Sequence, residues 1–330
     1  MKKIAGLDYI RAISAILVLL YHYTTRYFDS YFGETFESDH VGLWWGCWAV
    51  SAFFILSGFL TVYNLKGNMS FWAFLKKRFI RLYPGYFFCV IITTLFTLVF
   101  AFEKFIGVFP TVMNFTVIQN LLGIESVDGA YWTLLCEIVF YFVVAFAILI
   151  KCEKHLDIIS MIWLGIIACF SVVGNLIEIP GAVRSIFGVF VIEKYAHTFI
   201  AGISLYYILE SGRRKWISII NLAVCILIHF CRFNIMSGVF VVICISMIII
   251  FVKTEFSFKY DKPLIFLAGI SFPLYLLHQN IGYIIMYKAY QLGFHYCVGL
   301  VAAIVVSLAI AFLVQNYFAN PVGKYLKNKL

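Results

Sequence analysis

Among the 16 acidic residues of this 330-residue chain, Glu137 alone lies well inside an apolar run, Tyr131-Trp-Thr-Leu-Leu-Cys-Glu137-Ile-Val-Phe. An ionisable group in such a setting is costly and marks a functional position by default. A carboxylate there can orient an imidazole and raise its basicity, as in acyl-transfer sites; a structural carboxyl bonded to a neighbouring helix is the other reading. Arg11 and His22 stand eleven residues apart. On a helix those steps amount to about 20° more than three full turns, so both project from one face, roughly 16 Å apart along the axis. A guanidinium stays charged, and an imidazole can take and return a proton near neutral pH. The plainer alternative is a snorkelling Arg with an interfacial His.

Arg78 and Arg81, in Lys76-Lys-Arg78-Phe-Ile-Arg81-Leu-Tyr-Pro84, share a face if helical and form a fork suited to phosphate oxygens. A cytoplasmic flank of cations is the commoner meaning of such a cluster, and Pro84 is expected to end this loop as the next span begins. Ser271-Phe-Pro273-Leu-Tyr275-Leu-Leu-His278-Gln279-Asn280 combines a potential kink with three polar side chains that need company, as hydrogen-bonding or substrate-lining groups. Ser57-Gly58 suits close helix approach. His197, His229 and Arg184 are weaker candidates. There is no P-loop, dinucleotide fingerprint, zinc spacing or G-x-S-x-G elbow, and no metal is expected.

These side chains need a scaffold, and composition says which kind. Hydrophobic residues make up 63% of the chain and charged residues 12%, about half the ~25% of a soluble domain, and mean hydropathy is +0.96. A soluble enzyme, a secreted disulfide scaffold and a disordered chain are thereby excluded. The net charge of +9 would suggest nucleic acid in a soluble protein; here it is a matter of membrane sides, and no nucleic-acid partner is expected. Nine cysteines are scattered without a C-x-x-C pair and read as small core or lipid-facing residues.

A helix crosses a bilayer core with about 20 apolar residues. Ten spans are predicted, at about 7–28, 41–63, 84–102, 131–150, 156–174, 196–209 (short), 216–233, 235–252, 263–287 and 297–319. Helices follow because lipid offers backbone groups no partner, and no alternating barrel pattern is present. Asp8 and Arg11 interrupt the first apolar run and no small-residue cleavage site follows, so it is expected to be a retained span. With the N-terminus inside, 19 of the 25 Lys and Arg residues fall on the cytoplasmic side. The expected fold is an all-α polytopic membrane helix bundle of about ten transmembrane helices with both termini cytoplasmic, one integral-membrane domain over 1–330. Two external stretches, about 103–130 and 175–195, are long; the first is too apolar for a solvated loop and too short for two crossings, so a re-entrant or interfacial segment is expected.

With these residues and spans together, the chain resembles the acyltransferase-3 family of multi-pass membrane O-acyltransferases. The likeness runs along nearly the whole chain: Gly6-Leu-Asp-Tyr-Ile-Arg11 with His22 (the family's R-x10-H), Phe54-Ile-Leu-Ser-Gly-Phe59, Arg78-x-x-Arg81 leading to Pro84, Tyr131-Trp-Thr-Leu-Leu-Cys-Glu137, and Ser271-Phe-Pro-Leu-Tyr-Leu-Leu-His278. Each motif alone is weak; five in order and on consistent membrane sides are strong. The resemblance implies transfer of an acyl group, usually acetyl, from cytoplasmic acyl-CoA to a sugar hydroxyl of a cell-surface polysaccharide or its lipid-linked precursor. Acetyl-CoA would be a donor substrate, with no resident cofactor, and the setting would be the lipids of the cell (inner or plasma) membrane. In that family the R-x10-H pair is required for activity and the R-x-x-R loop is associated with the CoA donor. Ala12 stands where Gly is common, and His278-Gln-Asn replaces a frequent His-x-Pro. Some relatives carry a C-terminal SGNH domain; none is expected here.

The division of labour expected from all this has His22, Glu137 and Arg11 as catalytic residues, with His22 oriented by Glu137 and acting as general base on the acceptor hydroxyl. Arg78 and Arg81 would bind the CoA donor, and Trp132, Ser57, His278 and Asn280 would line the substrate path. Direct transfer and a transient acyl-His intermediate both stay open. One rival is a transporter or flippase of a lipid-linked saccharide, although the paired, Gly/Pro-broken repeats common in transporters are not visible. The other is a transferase of a different acyl group, such as succinyl.

Overall fold

The computed structural model describes residues 4–32, 42–65, 69–176, 181, 188–190, 192–211 and 214–329. Lys2, Lys3, Lys66, Arg184, Arg213 and most of the 175–195 stretch lie outside the described residues. Among the described residues every regular element is helical, and the chain is a polytopic membrane helix bundle. Nine helices there are long and apolar enough to cross a membrane: Ala5–Tyr31, Trp44–Tyr63, Phe71–Phe100, Gly129–Leu149, Glu153–Ser171, Lys215–Arg232, Ile235–Thr254, Lys262–Gln291 and Tyr296–Lys329.

The remaining span expected from hydropathy, 196–209, is the Ala196–Tyr206 helix followed by a π turn over Tyr207–Ser211. It is shorter than a crossing helix, and ten of its residues, from Ala196 to Leu205, are buried. A run that is apolar on every face buries itself in protein as readily as in lipid, so hydropathy alone does not separate the two cases.

A second difference concerns Pro84, which does not end a loop but lies inside the continuous helix Phe71–Phe100, so that Arg78 and Arg81 are helical as well. Proline leaves the carbonyl four residues earlier without its helical donor. That carbonyl, Ile80 O, faces Gly323, where a Cβ would stand 3.5 Å away. Neighbouring helices commonly make such breaks tolerable in membrane proteins.

The chain forms two compact units from interleaved segments. The first consists of Met1–Arg11, Val50–Lys76 and Cys136–Lys259, the second of Ala12–Ala49, Lys77–Leu135 and Tyr260–Leu330. In the first unit the Ala49–Tyr63 and Ala196–Tyr206 helices meet backbone to backbone at Gly58 and Gly202. Above this crossing Phe199 stacks on both Phe54 and Phe140, each at 4.5 Å between ring centroids. Asp157, fully buried, accepts from Arg214 Nε at 2.7 Å and Nη2 at 2.9 Å, a two-pronged ion pair joining the Leu156–Leu176 and Lys215–Arg232 helices.

In the second unit the Lys262–Gln291 and Tyr296–Leu313 helices form an antiparallel hairpin, closed where Gly299 lies against Met286 and Ala289. The segment 103–130 makes no crossing helix. It folds into a short helix, Val108–Asn114, and turns at Gln119–Leu122 and Gly129–Tyr131. These are held by its own side chains and by Tyr83 and Tyr86 of the Phe71–Phe100 helix, whose hydroxyls donate to Phe115 O and Asn114 O. Asn114 does most of this: its Nδ2 donates to the carbonyls of Pro110 (2.8 Å) and Glu125 (2.9 Å), and its Oδ1 accepts from Val127 N–H (2.9 Å). Backbone groups removed from water must find such partners, which is why an apolar loop carries a fully buried Asn. All nine cysteines are free; Cys89, Cys225 and Cys244 are buried and Cys169, Cys231 and Cys297 exposed.

Candidate active site

The first helix is regular from Ala5 to Tyr21, and at His22 it passes into a π turn, His22–Arg26. Tyr27 N–H reaches back five residues to His22 O. Single π turns inside helices are frequent at functional sites because they displace side chains from the regular 3.6-residue face. His22 is half-buried. Its Nδ1 lies 2.9 Å from Val18 O on its own helix and 3.1 Å from Nε2 of His278, 256 residues away. The two rings meet edge to face, with centroids 4.7 Å apart. Among the described residues, no protein group bonds His22 Nε2.

The neighbouring residue, Tyr23, ties the two helices together at the same level. Its hydroxyl donates to His278 O at 2.9 Å, which leaves Ser307 Oγ–H to donate to the Tyr23 oxygen at 2.8 Å. Tyr296 OH donates to Tyr23 O at 2.8 Å, and Gly282 provides the space that the Tyr23 ring fills. Nothing in the sequence singles out Tyr23 or Ser307; the only available signal is a hydroxyl in the middle of an otherwise apolar run. Asp128, also missed, caps the turn that opens the Glu137 span by accepting from Ala130 N–H at 3.0 Å. Its other oxygen accepts Asn280 N–H at 3.0 Å, while Asn280 Nδ2 donates to Val127 O. Gly129 sits against the Gln279 amide. Asn280 therefore finds its polar company in the 127–129 segment, against which Gln279 packs.

Glu137 belongs to the first unit and His22 to the second. Glu137 accepts from Ser57 Oγ at 2.9 Å and from Tyr141 OH, both at Oε1. Ser57 and Glu137, 80 residues apart in sequence, are thus brought together. Arg11, in the first unit, pairs with Asp8 one turn earlier at 2.9 Å and keeps 25% of its side chain exposed. Arg78 is half-buried and Arg81 exposed, one turn apart on Phe71–Phe100. Trp132 opens the Trp132–Leu149 helix and is half-buried. Of the weaker candidates, His197 Nε2 and His229 Nδ1 lie 2.8 Å apart and His229 Nε2 lies 2.9 Å from Ser237 Oγ, a fully buried chain within the first unit.

A family model described as an acyltransferase domain matches residues 4–315. The chain belongs to this family of acyltransferases. No curated protein and no solved structure is matched by the chain. Membership decides between an enzyme and a transporter: the protein is a membrane acyltransferase.

For an acyltransferase the arrangement at His22 has a definite chemical content. Val18 O can only accept, so the nitrogen facing it, Nδ1, carries the proton. Nε2 then holds the lone pair on the half-buried ring, which is the state a general base or a nucleophile requires. The acyltransferase holds a second polar cluster in Ser57, Glu137 and Tyr141, where two hydroxyls converge on one carboxylate oxygen.

Proposed function

We propose that this acyltransferase moves an acetyl group from cytoplasmic acetyl-CoA to a hydroxyl of a cell-surface polysaccharide or of its lipid-linked precursor, in the cell membrane. The observation that carries the reading is His22: a half-buried imidazole in a membrane acyltransferase, with Nδ1 committed to Val18 O and Nε2 without a protein partner among the described residues. His22 Nε2 takes the proton of the acceptor hydroxyl as its oxygen attacks the thioester carbon. The new C–O bond forms, the C–S bond breaks, and the proton passes to the departing CoA thiolate. An attacking hydroxyl and a thioester need no further reactant, so direct transfer is the simpler route.

Arg78 and Arg81 hold the phosphates of the donor at the cytoplasmic end of the Phe71–Phe100 helix, and Arg11, in the first unit, contributes a permanent charge to the catalysis. Glu137, held by Ser57 and Tyr141, is retained as a second catalytic group. Trp132, in the second unit, and Ser57, in the first, are each substrate-lining residues in this reading. Each charged hydrogen bond to phosphate is worth about 1.5–3 kcal/mol. Replacing both Arg78 and Arg81 with Ala should therefore raise KM for acetyl-CoA by at least about tenfold, with kcat at saturation changed far less. Donor affinity unchanged in the purified double variant would remove these residues from the donor site.

The reaction itself is tested by mass spectrometry of surface glycans from a strain lacking the protein. Loss of an acetyl mass increment, restored by the wild-type gene, is the expected result. A heavier increment would identify another acyl group, such as succinyl; an unchanged glycan would overturn the reading.

A further inference from the structure

We propose that His278 is the positioning residue of His22: a neutral imidazole whose Nε2 lone pair accepts the Nδ1 proton of His22 and so holds the catalytic lone pair on His22 Nε2. The proposal rests on the reading of His22 as the base.

Proton placement follows from the acceptors around the pair. His278 Nδ1 lies 2.9 Å from Tyr275 O and 3.2 Å from Leu274 O. Both are carbonyls and can only accept, so Nδ1 of His278 carries its proton and its Nε2 carries the lone pair. That lone pair faces His22 Nδ1 at 3.1 Å, and the same His22 nitrogen faces Val18 O at 2.9 Å. A proton on His22 Nδ1 satisfies both. The opposite placement, with His278 Nε2 donating to His22 Nδ1, sets a lone pair of His278 against two carbonyls and a lone pair of His22 against a third. Buried acceptor-to-acceptor contacts of that kind forfeit hydrogen bonds worth about 1–3 kcal/mol each, so one tautomer of each ring is selected.

His278 is also held in place from outside its own helix. Its carbonyl accepts Tyr23 OH, backed by Ser307, and two residues on Asn280 is bonded to Asp128 and Val127. His278 itself is buried, with 1% of its surface exposed, whereas His22 is half-buried. The buried ring is suited to support and the more open one to react. When His22 Nε2 takes the acceptor's proton, the imidazolium Nδ1–H has two acceptors waiting, Val18 O and His278 Nε2. When the proton leaves for the CoA thiolate, both rings return to their starting tautomers. His278 neither gains nor loses a proton in the cycle.

Two measurements test this. In the wild-type protein carrying 15N-labelled histidine in lipid nanodiscs, the ring nitrogens of both residues, assigned by loss of signal in His22→Ala and His278→Asn, should show protonated Nδ1 and unprotonated Nε2. An Nε2-protonated His22 or His278 would overturn the proposal. Kinetics are read as thiol release from acetyl-CoA by purified protein, with membrane extract of the deletion strain as the source of unacylated acceptor. His278→Asn, which has no acceptor at the Nε2 position, should lower kcat about 100-fold or more and leave KM for acetyl-CoA within about twofold. His278→Gln, whose side-chain oxygen reaches the Nε2 position, should recover at least about a tenth of wild-type kcat. Equal activity of the Asn variant and wild type, or a Gln variant as inactive as Asn, would overturn the proposal. If His22→Ala is active, the base reading falls; if His22→Ala is inactive and these results fail, only the role of His278 falls.

Discussion

His22→Ala is expected to abolish acyl transfer in a protein that still inserts and folds. General-base assistance contributes about 10²–10⁴-fold to a transfer of this kind, and the loss should appear in kcat, because the side chain acts on the acceptor hydroxyl and not on donor phosphates. The structural cost is modest by comparison. The ring gives up one hydrogen bond shared between Val18 O and His278 Nε2, a net contribution of about 1 kcal/mol, and water can enter a half-buried site to replace it. His22→Gln should be as inactive as His22→Ala: an amide oxygen can occupy the Nε2 position but cannot hold the proton. The O-acyl content of surface glycan and thiol release by purified protein both read the effect, with gel-filtration behaviour as the check on folding. More than about a tenth of wild-type activity in either variant would be more than a reaction stripped of its base retains, and the assignment would fail.

The second large effect is on folding. Gly202→Leu should leave no properly folded first unit. A Cβ at Gly202 would stand against Ile55 O, 2.6 Å from Phe59 N and 3.0 Å from Gly58 Cα; one at Gly58 would stand against Phe199 O and 3.2 Å from Gly202 Cα. These neighbours are backbone atoms of two helices already in contact, so no rotamer change relieves the clash. Overpacking in a core that can shift costs about 1–3 kcal/mol, and here the helices themselves must separate. With them go the Phe54–Phe199 and Phe140–Phe199 stacks and the approach of Ser57 to Glu137. Fluorescence-detected gel filtration should show aggregated or degraded Gly202→Leu. Gly165→Ala, where nothing lies within 4 Å of the added Cβ, should elute and melt like wild type. A well-folded Gly202→Leu protein would mean that the crossing is looser than these distances allow.

The two cases differ in how far they could be read from the linear chain. Gly58 was legible as a packing residue because Ser-Gly inside an apolar run has few other uses in a membrane helix. Its partner Gly202 was not, since a Gly in a short apolar segment carries no mark of what it touches. Pro84 shows the same limit in another form. Locally, proline is a helix breaker, yet the helix continues through Pro84 to Phe100, with Gly323 close to the released Ile80 carbonyl. The short Ala196–Tyr206 helix was found as an apolar run, but whether such a run meets lipid or protein depends on its surroundings.

Read by itself, the sequence determined the class of the protein, nearly all of its long helices, and the one-turn spacing of Arg78 and Arg81. Hydropathy and helical period are local quantities that sum along the chain, so they need no knowledge of the fold. The five ordered motifs also pointed to the family that the match over residues 4–315 establishes. Tertiary structure alone decided that the ring beside His22 belongs to His278, that Ser57 and Tyr141 hold Glu137, and that Asn280 anchors the 127–129 segment. A histidine's proton sits on whichever nitrogen faces an acceptor. The acceptors that matter here lie on two helices 256 residues apart, a juxtaposition that no local pattern encodes.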